Sequence, residues 1–135
     1  MRKRGAPRPR VARVLVATDR SETAHRAVEW AAEMAERYDA ELVLLRVTLD
    51  AEVEELERDL AEYAEGFAGR VRPLVRRGED PAGAIVDAAS DEDADVLVVG
   101  SVGMQGRKEF LLGNVPNRVS HNAPCTVIIV DTTAG

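Results

Sequence analysis

"ARVLVATDRSETAHRAVEWAAEMAERYDAELVLLRV", residues 12–47, changes its apolar period twice. Residues 12–19 open it as a β-rich apolar run that ends in polar turn residues. From Ser21 the apolar positions fall at helical spacing: Ala24, Ala27 and Val28, Ala31, Met34 and Ala35, Tyr38. Glu22, Arg26, Glu33 and Arg37 then face outward. Ser21 is suited to cap this helix and Glu22 to its positive end. Residues 41–47 form a second solid apolar run. Two strands without polar alternation, joined by a helix, read as a parallel β-α-β unit covered on both faces.

The rest of the chain keeps that alternation. An acidic helix opening at Asp50 carries Val53, Leu56, Leu60, Tyr63 and Phe67 on one stripe, and Gly66 and Gly69 end it. A weaker strand at 71–76 holds Pro73, which removes a ladder donor and so suits an edge. Asp80 before Pro81 reads as a cap with proline at the first helical position, and Ile85, Val86 and Ala89 face inward. Residues 95–100 make a fourth strand. A short helix is expected to begin near Asn114–Pro116 and to stop before Pro124, leaving 125–131 as the last strand. Right-handed crossovers then give a doubly wound, three-layer α/β sandwich whose ligand site lies outside the carboxyl ends of the strands. Two strand ends carry polar or glycine-rich loops, 17–19 and 100–103. If the first and fourth strands are neighbours, both loops face one crevice.

Composition narrows the partners. The chain has 135 residues, 45% apolar and 31% charged, which suits one soluble domain. No apolar run approaches the roughly 20 residues that span a bilayer. The basic start has no apolar segment behind it, so the expectation is that it is not a signal peptide. A single cysteine, Cys125, excludes an internal disulfide and reads as a small buried thiol, which fits a reducing cytoplasm. Six of the eighteen basic residues fall within 1–13, leaving twelve against twenty-four acids. An acidic body argues against nucleic acid, because a phosphate backbone needs a basic face. The expected organisation is a basic, flexible tail over 1–10, one domain over 11–131, and a short tail over 132–135.

The stretch "GSVGMQGRKEFLLGNVPN", residues 100–117, holds four of the ten glycines. It is not a P-loop, which needs Gly, four residues, then Gly-Lys-Ser/Thr. Arg107 and Lys108 read as a solvated loop face. Gly100 and Gly103 alone would suit an ordinary strand-to-helix turn. Together with Gly113 and a helix start at 114–116 they can form a phosphate loop, since missing Cβ atoms let backbone N–H groups approach oxygens.

These residues resemble the universal stress protein family, in its nucleotide-binding branch. The likeness rests on "VLVATDRSETAHRAVEWAAEMA" (14–35), "ADVLVVGSVG" (94–103) and "LLGNVPNRVSHNAPCTVIIV" (111–130). Gly100, two residues, Gly103, nine residues and Gly113 match the branch's Gly-x2-Gly-x9-Gly-Ser/Thr, while Asn114 departs from its Ser/Thr. The resemblance implies a five-stranded, Rossmann-like parallel sheet in the order 3-2-1-4-5, which places Pro73 on an edge strand. It implies ATP, with Mg²⁺ arriving on the nucleotide and AMP or ADP as alternatives. Ala17, Thr18 and Asp19 would lie by the nucleoside, and Val47 would meet the adenine through its backbone. Gly100, Ser101, Gly103, Gly113, Asn114 and Val115 would surround the phosphates. Asn114 is also a favoured N-cap whose amide can donate to phosphate. Asp19 could cap the helix from Ser21 and still hold a ribose hydroxyl.

No Ser-His-Asp or Cys-His arrangement is evident, and no carboxylate pair is placed for acid–base work. His25 and His121 have no second nitrogen or thiolate to pair with, so no protein-held metal is expected. The leading reading is a cytoplasmic ATP-binding stress-response or signalling module. Its alternative is a relative that binds no nucleotide and acts through dimer or partner contacts; a small phosphoryl- or adenylyl-transfer enzyme lacks its catalytic residues. Val127, Ile128, Ile129 and Val130 form an edge without proline or charge, a template for a two-fold homodimer. The resemblance points the same way.

Overall fold

Val14, Leu15 and Val16 expose none of their surface, although consecutive strand residues point to opposite faces. The strand that holds them, β1 (Arg13–Ala17), is therefore covered on both sides, and it is the middle of the sheet. The computed structural model describes residues 10–49, 52–101 and 111–132, without the side chains of 111–114. Within them β1 is followed by α1 (Glu22–Tyr38), β2 (Glu41–Thr48), α2 (Val53–Ala64), β3 (Val71–Arg77), α3 (Pro81–Asp91), β4 (Val96–Gly100), α4 (Leu111–Asn122) and β5 (Thr126–Val130). Every strand pair is parallel, in the order β3-β2-β1-β4-β5. This is the sheet that the alternation and the resemblance imply.

The strand alternation divides the core in two. Val14, Val16, Leu42, Leu44, Val96 and Val98 meet α1 and α2 on one face. Leu15, Val43, Leu45, Leu97 and Val99 meet α3 and α4 on the other. Each fully buried Val or Leu contributes about 1.5–3 kcal/mol of transfer free energy, so neither layer of helices is dispensable. The α2 stripe is as expected: Leu60 is buried, and Val53, Leu56, Tyr63 and Phe67 pack against the first core. Cys125 is half-buried against the second, and burial, followed by nearby Asp95, pushes its thiol up from the ordinary value.

The two edges follow from the ladder. The Leu42 N–H bonds the Arg70 carbonyl and the Gly78 N–H the Thr48 carbonyl, so even-numbered residues of β3 turn their backbone groups toward β2. Pro73 is odd, and its missing N–H faces the open edge, where it costs no ladder bond. At the other edge the Ser101 N–H bonds the Val130 carbonyl at 2.8 Å. Even residues of β5 therefore serve β4, while Val127 and Ile129 turn N–H and C=O outward.

Three local expectations need correction, and a fourth, the Asp80 cap, holds in position but not in its side-chain bonding. Tyr38 is exposed and Met34 only partly buried, because the buried stripe of α1 is Ala27, Val28, Ala31 and Ala35 and has run out by the last turn. The helix α2 ends at Ala64, and Phe67 is held beyond it by a turn in which its N–H bonds the Ala64 carbonyl. Asp80 does occupy the N-cap of α3 with Pro81 behind it, yet its side chain makes no cap bond. Both oxygens instead receive Arg118 of α4, each at 2.7 Å, which holds the carboxyl below its usual range. Finally, α4 begins at Leu111, three residues before Asn114. Pro116 lies in its second turn and forfeits one helical hydrogen bond, a loss tolerated here because Val115 and Val119 on either side are buried in the core.

The amino-terminal end of the sheet is closed by charge. Glu41, at the start of β2, receives Arg13 Nε at 2.6 Å and Arg72 Nε at 3.1 Å, and Arg72 reaches on to Glu92 at 2.7 Å. Arg13 also donates to the Glu92 carbonyl. The Arg72 hydrogen bond is the main reason the Glu41 carboxyl titrates below its ordinary 4.5, partly offset by burial. A depressed carboxyl contributes stability above its unfolded value and loses it as pH falls through the folded one. Glu41→Gln should thus cost about 1 kcal/mol at pH 7 and flatten the acid limb of stability below about pH 5, read by urea melts across pH.

Candidate functional site: the crevice at the carboxyl ends of β1 and β4

Strand β1 leaves the sheet before its neighbour does. Ala17 pairs with Leu45, and the Thr18 N–H makes the last bond, to the Leu45 carbonyl at 2.9 Å. Strand β2 runs on to Thr48. Its odd residues serve β1, so Val47 presents its N–H and C=O toward β1 at a level that β1 no longer reaches. Among the described residues neither group has a backbone partner. The gap opens into a crevice whose apolar walls are Ala17, Leu45, Val47, Ile85, Val99, Val115 and Pro116. Thr18, Asp19, Ser21 and Thr23 make its polar rim, and Gly100 closes the β4 side. The first and fourth strands are neighbours, and residues 17–19 and Gly100 border this one crevice, while 102 and 103 lie outside the described residues.

The turn from β1 into α1 holds itself in shape. Thr18 Oγ1 accepts the Arg20 N–H at 2.9 Å and Asp19 Oδ1 accepts the Ser21 N–H at 2.9 Å. Ser21 Oγ in turn caps α1 by accepting the Ala24 N–H at 3.2 Å. Asp19 therefore supports the helix entry, and its second oxygen has no hydrogen bond among the described residues. It offers a carboxylate acceptor on the crevice rim.

The glycine loop divides. Gly100 ends β4, and a Cβ there would lie 3.1 Å from Thr132 Cγ2 and 3.9 Å from Ala27 Cβ. Close packing against Thr132 favours a small residue here, a demand no spacing rule reveals. Ser101 turns toward the exit of β5: its N–H serves Val130 and its Oγ accepts the Thr132 N–H at 3.1 Å. It does not line the crevice. Gly113 falls in the first turn of α4, where the leading backbone N–H groups lack helical acceptors, Asn114 is the fourth helical residue, and Val115 and Pro116 follow on the crevice wall. Asn114 is thus within the helix instead of capping it. Gly103, Arg107 and Lys108 lie outside the described residues. His25 is engaged by Tyr63 and Glu29 outside the crevice, and no three metal-ligating side chains cluster among the described residues. What the crevice can do chemically is grip a flat apolar group between Val99, Val115 and Ile85 while backbone and carboxylate groups read its polar edges.

The sequence profile of the universal stress protein family matches residues 11–55 and 48–131, nearly all of the chain from Val11 onward. The chain belongs to the universal stress protein family. Universal stress protein Rv1636 of Mycobacterium tuberculosis is 35% identical across 89% of this chain and 96% of its own length. Among solved structures, a universal stress protein in complex with cAMP superposes with a TM-score of 0.76 at 30% identity, covering 93% of this chain and all of the other. The universal stress protein from Archaeoglobus fulgidus in complex with dAMP superposes at 0.67 with 25% identity, covering 87% of this chain and 96% of the other. No helix among the described residues is long and apolar enough to cross a membrane.

The packing at Gly100 has a direct consequence. Gly100→Ala brings a methyl to 3.1 Å from Thr132, which a small shift relieves, whereas Gly100→Val adds branches that meet Ala27 and Thr132 together. Chemical denaturation should show Val losing about 1–3 kcal/mol and Ala clearly less. Equal stability of all three would refute a packing role for this glycine.

Proposed function

We propose that this universal stress protein binds an adenine nucleotide in the crevice and works as a nucleotide-dependent stress-response or signalling module. The observation that carries the reading is Val47, whose strand backbone presents a donor and an acceptor without a backbone partner among the described residues, in the same crevice as the Asp19 carboxylate. Adenine offers the complement, an amino donor next to a ring-nitrogen acceptor, on a flat apolar base that suits the Val99, Val115 and Ile85 walls. Asp19 would accept a ribose hydroxyl, with Ala17 and Thr18 against the nucleoside. Phosphates would run over Gly100, Gly103, Gly113, Asn114 and Val115 to the first turn of α4, where the helix dipole favours an anion. The cAMP and dAMP complexes of relatives support the adenine class. The glycine spacing favours ATP within it, and Mg²⁺ would arrive on the triphosphate.

Calorimetry with ATP, AMP and cAMP decides the matter. Wild-type protein should bind ATP, and Gly113→Val, which puts a branched side chain on the phosphate path, should weaken ATP by at least about tenfold while remaining folded. Unchanged ATP affinity in that variant removes the phosphates from this loop, and wild-type protein that binds none of the three removes the nucleotide. The second result favours the alternative that Asn114 keeps open, a family member acting through protein contacts alone.

Assembly belongs to the same proposal. The outward N–H and C=O groups of Val127 and Ile129 suit an antiparallel pairing of β5 with its copy about a two-fold axis, and Ile129 is 46% exposed. Ile129→Pro deletes an outward donor and spares the β4 ladder, so it should give folded monomers. Ile128→Pro deletes a donor that serves β4 and should instead lower the melting temperature. Light scattering on wild-type protein at micromolar concentration should give about twice the monomer mass; a monomer mass would reject this dimer.

A further inference from the structure

Arg20 is the one crevice-turn residue whose backbone is costly. Its φ is 70°, in the left-handed region that a residue with a Cβ enters at about 1–3 kcal/mol. It sits between Asp19 and Ser21, and its own N–H is held by Thr18 Oγ1. Something has to offset the strain, and the compensating contacts lie on α2, a helix that contributes nothing to the crevice wall. Arg20 Nε donates to Asp59 Oδ2 at 3.0 Å, and its Cζ lies 3.9 Å from the centroid of the Tyr63 ring. Asp59 and Tyr63 are four residues apart, hence on one face of α2. A cation over an aromatic face, anchored at one edge by a carboxylate, is a grip that the planar guanidinium makes more directionally than a rotating ammonium.

The grip is itself braced. The Tyr63 hydroxyl and His25 Nδ1 share a hydrogen bond of 2.5 Å, and His25 Nε2 lies 3.3 Å from Glu29 Oε2, both on α1. Phe67 meets the Tyr63 ring edge-on at 5.3 Å. Burial is the main influence on the Tyr63 hydroxyl and pushes it above its ordinary value, so the phenol is neutral at pH 7. The ring that carries Arg20 therefore cannot swing without breaking contacts to α1.

We propose that α2 sets the nucleotide affinity of the crevice from outside it, with Asp59 and Tyr63 as positioning residues that hold Arg20 in its left-handed turn and so aim the Asp19 carboxylate. The proposal rests on the nucleotide reading above. The mechanism is pre-organisation: a turn already held in the bound shape loses less freedom when a ligand arrives. Neither residue touches the ligand. A plain fastening of α2 to the domain would change stability alone.

Arg20→Gly separates the two roles, because glycine enters the left-handed region without strain and removes the side chain that α2 grips. ATP and cAMP affinities are measured by calorimetry for Asp59→Ala and Tyr63→Leu, each in the wild-type and Arg20→Gly backgrounds. With Arg20 present, each should weaken nucleotide by about tenfold; in the Arg20→Gly background the same changes should leave affinity unaltered, a coupling that independent sites do not show. Amide exchange in the ligand-free protein should report the same pattern, with the Arg20 and Ser21 N–H groups losing protection only when the grip is broken. Undiminished affinity in Asp59→Ala and Tyr63→Leu, with a binding wild type and a lowered melting temperature, overturns the positioning role and leaves the nucleotide site standing. A wild type that binds neither ligand overturns both.

Discussion

Strand β1 stops at Ala17 while β2 continues to Thr48, and the architecture of the carboxyl end depends on that mismatch. A parallel sheet satisfies backbone groups only where both neighbours are present, so a short central strand leaves the flank of the longer one unpaired. Among the described residues, the one left without a backbone partner on that flank is Val47. The chain also reverses its winding at β1, with α1 and α2 on one face and α3 and α4 on the other, so the loops after β1 and β4 splay apart where the gap opens. Polar backbone, a carboxylate and apolar walls therefore converge at one crevice.

The two ends of the sheet are built by opposite chemistry. At the amino ends Arg13, Glu41, Arg72 and Glu92 neutralise one another, and Asp95 Oδ2 accepts the Ala12 and Arg13 N–H groups at 2.8 and 3.0 Å. At the carboxyl ends the charges are drawn outward. Arg20 is turned to α2, and Arg118 to Asp80 at the head of α3. That leaves Asp19 as the charged group on the crevice wall among the described residues.

Much of this was legible in the residues. Solid apolar runs at 12–19, 41–47 and 95–100 separated by helical stripes imply buried parallel strands, because a strand covered on both faces has no solvent side for polar alternation. Pro73 marks an edge because it lacks a donor, and Ser21 marks a helix start because its hydroxyl replaces a backbone acceptor. Family membership was legible too, in the glycine spacing and the three matching stretches. The start of α4 was misplaced because Asn and Pro are both common at helix starts, and local propensity does not register that Val115 and Val119 are drawn into the core.

What the sequence by itself determined is therefore the class of fold, the strand order through the family, and the two strand ends that border the crevice, since periodicity and donor chemistry are properties of neighbouring residues. Only the tertiary structure decided what those residues touch. It turned Ser101 to Thr132, gave Gly100 a packing reason against Thr132 and Ala27, took the Asp80 carboxylate from its cap for Arg118, and set Arg20 on Tyr63. Each of these contacts joins positions far apart in the chain. Whether two such groups come within reach depends on how the layers stack, and no local pattern encodes that.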